Sequence, residues 1–413
     1  ESAISGRSDQ DGASASHAGP DDMLTILNNS LPAFLTTLGE TDRITSAVSN
    51  ISTNVIMPIL RSRLFPNNVN RNFLSLLQQI SKISASSKVW KKDINDAFND
   101  ARFFGMQVDL VKSGWMSLLQ QWVLVDKERF PELLSRLTSP TSAGIMFGVG
   151  ASAARLEADR RTQLNLRRIA LLILSTGHEH FVTDLPTLMQ KLEDLLQATN
   201  VSSPSSLTRA EIFMVLRALV LKTSSTTHLA PFWPLITNEL QEAICAVPNH
   251  QTTDLYNPYS LLQACKLLDT LLLLAPDDFQ LQEWLFVTDT IDAIHPPSGL
   301  ERIAQADEVS QAFGPSPSAA GIFSSHEPSS LVAPEDFNDF DTDTTGGRKK
   351  PLLTSDRIRE TAKDEIVERV LRPFFDRLSI FAFESTYSMA LPDTEACIDD
   401  LLADLFNEGT MAS

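Results

Sequence analysis

The sequence predicts an all-α fold of stacked antiparallel helices, and three observations carry that prediction. Apolar residues recur at spacings of three and four, as in Leu24, Leu27, Leu31, Phe34, Leu35 and Leu38, in Leu188, Leu192, Leu195 and Leu196, and in Ile212, Val215, Leu216, Leu219 and Val220. That spacing places them on one helix face. Strand-like alternation is scarce. Finally, prolines and small polar clusters divide residues 21–295 into about eleven helical stretches joined by short connections. Helices of this length on short loops stack as antiparallel pairs, so the expected architecture is an α-solenoid of HEAT-like type. No clean repeat period is visible in the sequence itself.

The individual elements follow in order. Residues 1–20 are Ser, Gly, Ala, Asp and His with almost no large apolar side chain, and read as a disordered leader. The helical domain spans 21–295. Asp22 and Asp42 sit where N-caps are expected, and Pro58 should kink or divide the stretch Ser46–Leu64. Pro231 and Pro234 open the segment around Trp233, and Pro276 ends the leucine-rich helix Leu261–Leu274. Residues 296–354 contain Pro296-Pro297, Gly314-Pro315-Ser316-Pro317 and Gly346-Gly347 and read as a disordered acidic insertion. Helical pattern returns over 355–390, where Ile366, Val370, Leu371, Phe374, Phe375 and Leu378 make an apolar face too broad to stay free. This helix is expected to pack back on the domain, bent at Pro373. The segment 391–413 closes the chain as an acidic amphipathic helix.

Composition bounds the function. The 413 residues are 43% apolar, enough for one large domain or two medium ones. The net charge of −18 is concentrated, with −12 of it in residues 296–413. An acidic chain repels phosphates, so nucleic acid is not an expected partner. Cys245, Cys265 and Cys397 lack a CxxC spacing and read as reduced thiols, the first two in helix cores. No signal-peptide pattern is present. The longest apolar runs, Ile169–Leu174 and Leu271–Ala275, fall far short of the roughly 20 residues that span a bilayer. Any membrane contact is expected to be peripheral.

Four phrases then stand in order along the chain: Ser49-Asn50-Ile51-Ser52-Thr53-Asn54-Val55-Ile56-Met57-Pro58; Trp90-Lys91-Lys92-Asp93 followed by Phe103-Phe104-Gly105-Met106; Phe232-Trp233-Pro234 with Thr237-Asn238-Glu239-Leu240; and Ala264-Cys265-Lys266-Leu267-Leu268-Asp269 with Phe279-Gln280 and Trp284-Leu285-Phe286. Together they resemble the C-terminal region of the Dopey family, in a fungal-like member, over roughly residues 40–290. The resemblance implies a non-catalytic adaptor or scaffold, peripheral on the cytoplasmic face of Golgi and endosomal membranes. Implied partners are a large Sec7-related, Arf-exchange-factor-like scaffold, an aminophospholipid flippase, kinesin light chain in animals, membrane bearing phosphatidylinositol 4-phosphate, and a second copy of the chain. No cofactor is implied. The acidic ending and the insertion 296–354 depart from the family pattern, in which a basic stretch ends the chain.

Read without the resemblance, the charge pattern offers three candidate sites. Between Arg43 and Lys92 there are eight cations (Arg43, Arg61, Arg63, Arg71, Lys82, Lys88, Lys91 and Lys92) and no Asp or Glu. Seven of them, Lys82 excepted, are the candidate contact for anionic lipid or an acidic partner, set against a solvated face or pairing with the acidic tail. A secondary basic cluster, Arg160, Arg161, Arg167 and Arg168, is the second candidate, set against ion pairing on its own helix. The third is the apolar stripe Ile398, Leu401, Leu402, Leu405 and Phe406, which suits either a partner-docking helix or a terminal helix packed on its own domain. Phe337 and Phe340 among Asp336, Asp339, Asp341 and Asp343 form an acidic-aromatic motif or a plain spacer. A pure protein-interaction or homodimerisation module is the alternative to lipid contact.

Catalytic patterns are weak. His178-Glu179-His180 lacks a completing ligand and reads as a turn. Gly148-Val149-Gly150 has no preceding strand and no following lysine. No G-x-S-x-G elbow occurs. Trp90, Trp115, Trp122, Trp233 and Trp284 read as core anchors.

Overall fold

The computed structural model describes residues 20–83, 87–137, 151–197, 206–249, 255–288, 304–314, 348–354, 358 and 361–410. The chain divides into two compact units, Glu1–Asn99 and Asp100–Ser413. The expected all-α class holds: among the described residues the one extended pairing is an isolated bridge between Lys349 and Pro392.

The first unit contains α1 (Pro20–Leu38), α2 (Thr41–Ile51), a π turn (Ser52–Ile56), α3 (Met57–Leu60), α4 (Arg71–Ser81) and α5 (Ser87–Asn99). Helix α4 shows why these segments fold as they do. Phe73, Leu74, Leu76, Leu77 and Ile80 are buried along one face, and the Asn70 side chain accepts the Phe73 N–H at 2.9 Å, a cap worth about 1 kcal/mol. Asn28 of α1 donates to the Asn72 carbonyl at 2.7 Å, fixing α1 on α4. Asp22 and Asp42 are not caps; they lie in the first turns of α1 and α2, where they complement the helix dipole.

Pro58 divides its helix through a π turn rather than a break. Three of the four π turns among the described residues (Ser52–Ile56, Ser225–Leu229 and Val367–Leu371, but not Val111–Trp115) are followed two residues later by a proline: Pro58, Pro231 and Pro373. A proline ring clashes with the carbonyl four residues back. The wider π turn moves that carbonyl aside, so the helix continues.

The second unit begins with a 3₁₀ turn (Ala101–Gly105), α6 (Val108–Leu110), the π turn Val111–Trp115 and α7 (Met116–Val125). Then come α8 (Arg129–Ser135), α9 (Ala151–Ser175), α10 (Leu185–Leu196), α11 (Ser206–Lys222), α12 (Trp233–Ala246), α13 (Pro258–Leu274) and α14 (Asp277–Gln280). Last are α15 (Gln305–Phe313), α16 (Arg372–Tyr387) and α17 (Thr394–Leu405).

This unit has an internal period that the sequence hides. Gln163 meets Thr208, Arg167 meets Glu211, Lys222 meets Thr176, Tyr259 meets Met214, Arg217 meets Gln263 and Thr237 meets Gln282, and each pair is 44 to 46 residues apart. Rising numbers meet rising numbers, so α9, α11 and α13 lie parallel and side by side, with α10 and α12 as the returning helices. A supersecondary unit of about 45 residues is that of HEAT and armadillo stacks. Helix α11 lies between α9 and α13 and is buried from Thr208 to Leu221. It is a core helix whose charged residues Arg209, Glu211 and Arg217 are paired inside the stack. Helix α13 is capped by Asn257 and Ser260 in a reciprocal box and ends at Ala275, whose φ of 44° is left-handed, before Pro276.

Several expectations are corrected. Residues 305–313, read as disordered insertion, form α15, which packs on α12 and α16 because Ala306 and Val309 stand one turn apart and are buried. Residues 348–354 are also ordered, with Leu353 buried. The segment read as a helix over 355–390 is helical at Ile358 and over 363–387 among the described residues, the latter as a 3₁₀ turn, a π turn and α16. Trp284 is half exposed, its indole N–H donating to the Leu281 carbonyl at 3.1 Å, because it stands in a 3₁₀ turn at the surface. Cys245 is exposed on α12, whereas Cys265 is buried. Residues 1–19, Gly148–Gly150, and Phe337 and Phe340 lie outside the described residues.

Candidate functional site

In the first unit, Arg43, Arg61, Arg63, Arg71, Lys82, Lys88 and Lys92 are exposed, and Lys91 is half-buried. They do not act as one group. Arg43 turns to Glu40 at 2.9 Å, within its own helix start. Arg61 reaches Asp96 on α5 at 3.3 Å. Both Arg61 and Lys92 lie close enough to Asp93 to favour its charged form. Burial nonetheless pushes the Asp93 carboxyl above the usual carboxylate range, while the Ser52 hydroxyl, donating at 2.5 Å, holds it back. The structure thus brings Arg61 and Lys92 together, with Lys88 one turn away on α5, and separates Arg43 from them. Asp93 and Asp96, just beyond the acid-free stretch, thread negative charge into this face.

The secondary basic cluster disperses. Arg161 is exposed and pairs with Glu157 at 2.9 Å along its own helix, and Arg160 is half-buried. Arg167 and Arg168 are buried. The Arg168 guanidinium is pushed down to about 10, first by burial and then by Arg136. Arg167 points inward to Glu211 at 2.8 Å. A continuous cationic surface cannot form because the helix turns two of the four into the core.

Of the two readings of α17, the structure supports the terminal helix packed on its own domain and not the partner-docking helix. Leu401, Leu402 and Leu405 are fully buried, Phe406 nearly so, and Ile398 half-buried. Asp393 caps its start by accepting the Ala396 N–H at 3.1 Å. The acidic residues of this amphipathic helix divide. Asp399 and Glu395 pair with Lys112 at 2.7 and 3.2 Å near the surface. Asp400 and Asp404 enter the core. Arg217 of α11 donates to Asp400 at 2.6 Å and to Asp404 at 2.8 Å; Lys266 of α13 donates to both at 2.8–2.9 Å. Arg167 of α9 donates to the Leu405 carbonyl at 2.7 Å and to the Thr410 hydroxyl at 2.6 Å. Helix α17 therefore bridges all three parallel helices. Arg167, Arg217 and Lys266 meet Glu211, Asp400 and Asp404, three cations against three carboxylates. Buried charges are tolerated when paired and hydrogen-bonded in this way.

The four recognised phrases prove to be joints of the fold. Ser52 of the first binds Asp93 of the second. Phe103 and Phe104 make an aromatic bed for Phe406, at 5.9 and 5.3 Å between ring centroids. Trp233 lies 6.2 Å from Phe279, and Glu239 pairs with Arg209 and accepts the Tyr256 hydroxyl at 2.8 Å. In Ala264–Asp269, Lys266 holds α17 while Asp269 accepts the Leu353 N–H at 2.7 Å, tying down residues 348–354. Burial pushes the Asp269 carboxyl up to about 7. Sequence reasoning passed over Arg217, Lys266, Asp400 and Asp404 as a set because they lie up to 187 residues apart. The one legible signal is a lysine and an aspartate, Lys266 and Asp269, inside a leucine-rich helix.

His178, Glu179 and His180 form the turn between α9 and α10. Glu179 has φ 60°, and its N–H donates to the Lys222 carbonyl at 2.9 Å. Among the described residues no group of His, Cys, Asp and Glu is arranged to hold a metal, and no helix is long and apolar enough to cross a membrane.

Comparison with known proteins places this sequence in a family. The family model for the DOP1 C-terminal region matches residues 2–388. Protein dop1 of Emericella nidulans is 64% identical over 405 residues, covering 98% of this chain and 21% of that protein. Protein DOP1 of Saccharomyces cerevisiae is 22% identical over 381 residues, covering 89% of the chain and 20% of that protein. Protein DOP1B of Mus musculus is 24% identical over 307 residues, covering 66% and 12%. The chain thus spans about a fifth or less of the curated relatives it matches. No solved structure matches it. With its helix stack and its phrases engaged in one another, the chain belongs to the Dopey family, as a member of fungal type, and corresponds to that family's C-terminal region.

Proposed function

We propose that this region is a non-catalytic scaffold within a much larger membrane-trafficking protein, peripheral on the cytoplasmic face of Golgi and endosomal membranes. The observation that carries the scaffold reading is the interior of the second unit. Six of its buried ionisable groups, three cations and three carboxylates, close on one another and join helices. Groups engaged in this way position walls rather than substrates, and the outer walls of stacked helices are what such folds offer to partners. The Sec7-related scaffold, the aminophospholipid flippase and a second copy are the partners proposed for those walls, with kinesin light chain proposed for animal members only.

The membrane contact proposed for the first unit is the exposed face carrying Arg61, Lys88 and Lys92, with exposed Arg63 two residues from Arg61. Each cation near an anionic surface contributes about 1 kcal/mol. Reversing Arg63, Lys88 and Lys92 to Glu should therefore weaken binding to vesicles bearing phosphatidylinositol 4-phosphate by roughly 100-fold or more. Liposome flotation at fixed salt measures this. Undiminished binding by the variant removes this face as the lipid contact. Failure of the unmodified chain to float leaves a pure protein-interaction module as the reading.

A further inference from the structure

Helix α16 has two faces with partners and one without. Leu371, Phe374, Phe375, Leu378 and Ala382 are buried, and the helix packs on α13. A second side meets α15: Arg372 donates to the Phe313 and Gly314 carbonyls at 3.1 and 2.9 Å, Ser310 bonds Asp376, and Ser379 donates to Asp307 at 3.3 Å. Beyond them Ile380, Phe383 and Tyr387 stand at i, i+3 and i+7, with the last two rings 4.8 Å apart. Tyr387 is 65% exposed, and Met389 and Leu391 just after it are 98% and 72% exposed. Five large apolar residues in twelve positions form an uncovered patch of the kind that marks an interaction surface.

Two described segments that flank a long connection are held at this helix. Residues 315–347 leave from Gly314, which is held at Arg372 at the start of α16. They return at Arg348, next to Lys349, which exchanges backbone hydrogen bonds with Leu391 and Asp393 at 2.9 and 2.7 Å and donates its ammonium to the Ser385 carbonyl at the far end of α16. From Arg372 to Ser385 is about 20 Å along a helix, which six or seven extended residues would span. The connecting segment has 33 residues, far more than the direct route needs. It includes Phe337 and Phe340, set among Asp336, Asp339, Asp341 and Asp343, with no Lys or Arg. Arg348 and Lys350, both exposed, stand beside the Leu391 end of the patch and supply opposite charge.

We propose that the patch made by Ile380, Phe383 and Tyr387 on the outer face of α16, with Met389 and Leu391 just beyond its end, is the docking surface for residues 315–347 of the same chain, engaged through Phe337 and Phe340. Both ends of that segment are tied to α16, so its effective concentration at the face exceeds that of any free partner. The acidic-aromatic motif is then an intramolecular ligand, and an outside partner that reads it must first displace it.

The test is photo-crosslinking in the intact chain carrying Phe340→p-benzoylphenylalanine, with isotopically light and heavy copies mixed before irradiation. Adducts to residues 380–391 within a single copy are expected, and Phe383→Ser with Tyr387→Ser should reduce them at least fivefold. Hydrogen exchange supplies a second readout: Phe337→Ser with Phe340→Ser should speed exchange over 380–391 several-fold and leave α11 unchanged. Adducts confined to other residues, no adduct at all, or unchanged exchange over 380–391 would overturn the proposal. Adducts joining light to heavy copies would overturn it in favour of a second chain as the occupant.

Discussion

Lys266 illustrates what a single buried charge does in this fold. Its ammonium is held by Asp400 and Asp404, and the same two carboxylates take the guanidinium of Arg217. Removing one cation leaves two neighbouring buried carboxylates sharing the other. Lys266→Ala should therefore destabilise the second unit by about 3–5 kcal/mol, the cost of an uncompensated buried charge, as measured by chemical denaturation. Asp269 makes the opposite kind of prediction. Its folded carboxyl is raised to about 7, with burial as the main cause, above the ordinary carboxylate value of about 3.9. A raised acid binds more protons folded than unfolded between those values, so its contribution to stability falls as pH rises from about 4 to about 7 and is flat above. Asp269→Asn keeps an acceptor for the Leu353 N–H but carries no charge to desolvate. The stability of the variant relative to the wild type should therefore rise between pH 5 and pH 8 by on the order of 1 kcal/mol or more, and parallel stability–pH curves would contradict the assignment.

At the scale of elements, α17 determines how the second unit closes. It contributes Asp400 and Asp404 to two cations, the carbonyl of its last residue, Leu405, to Arg167, and Phe406 just after it to the bed of Phe103 and Phe104. Ending the chain at Pro392 should expose Arg217 and Lys266 without counter-charge. The truncated chain is expected to lose a single cooperative unfolding transition and to be cleaved rapidly by protease within α9–α13. Unchanged protease resistance would contradict the bridging role. Helix α17 also shows where sequence legibility ends. Its existence and its apolar stripe were readable, since Leu401, Leu402 and Leu405 keep helical spacing. Its partner was not, because an acidic face looks the same whether it meets water or buried arginine. Helix α15 was missed for a related reason: nine residues between proline-rich stretches carry too few apolar positions to reveal a face that packing then buries.

For the whole molecule, the all-α class followed from periodicity alone, and the stacking of helix pairs followed from helix and loop lengths. The repeat of about 45 residues did not, because each step of the stack uses different side chains: Gln163 to Thr208, Arg167 to Glu211, Arg217 to Gln263. A repeat of geometry without a repeat of chemistry leaves no self-similarity to find. The basic stretch between residues 43 and 92 was legible as charge, but Asp93 and Asp96 enter its face from beyond its boundary. The four phrases that resemble the Dopey family were readable as identity and not as contact, since each finds its partner in a distant segment.

The central claim is that the C-terminal acidic helix is an internal support of the scaffold rather than a free docking element. Hydrogen–deuterium exchange on the intact chain tests it most directly. The amides of residues 394–405 should exchange as slowly as those of α11 and α13, in the class set by global opening. Exchange of α17 within seconds, while α11 and α13 stay protected, would contradict it.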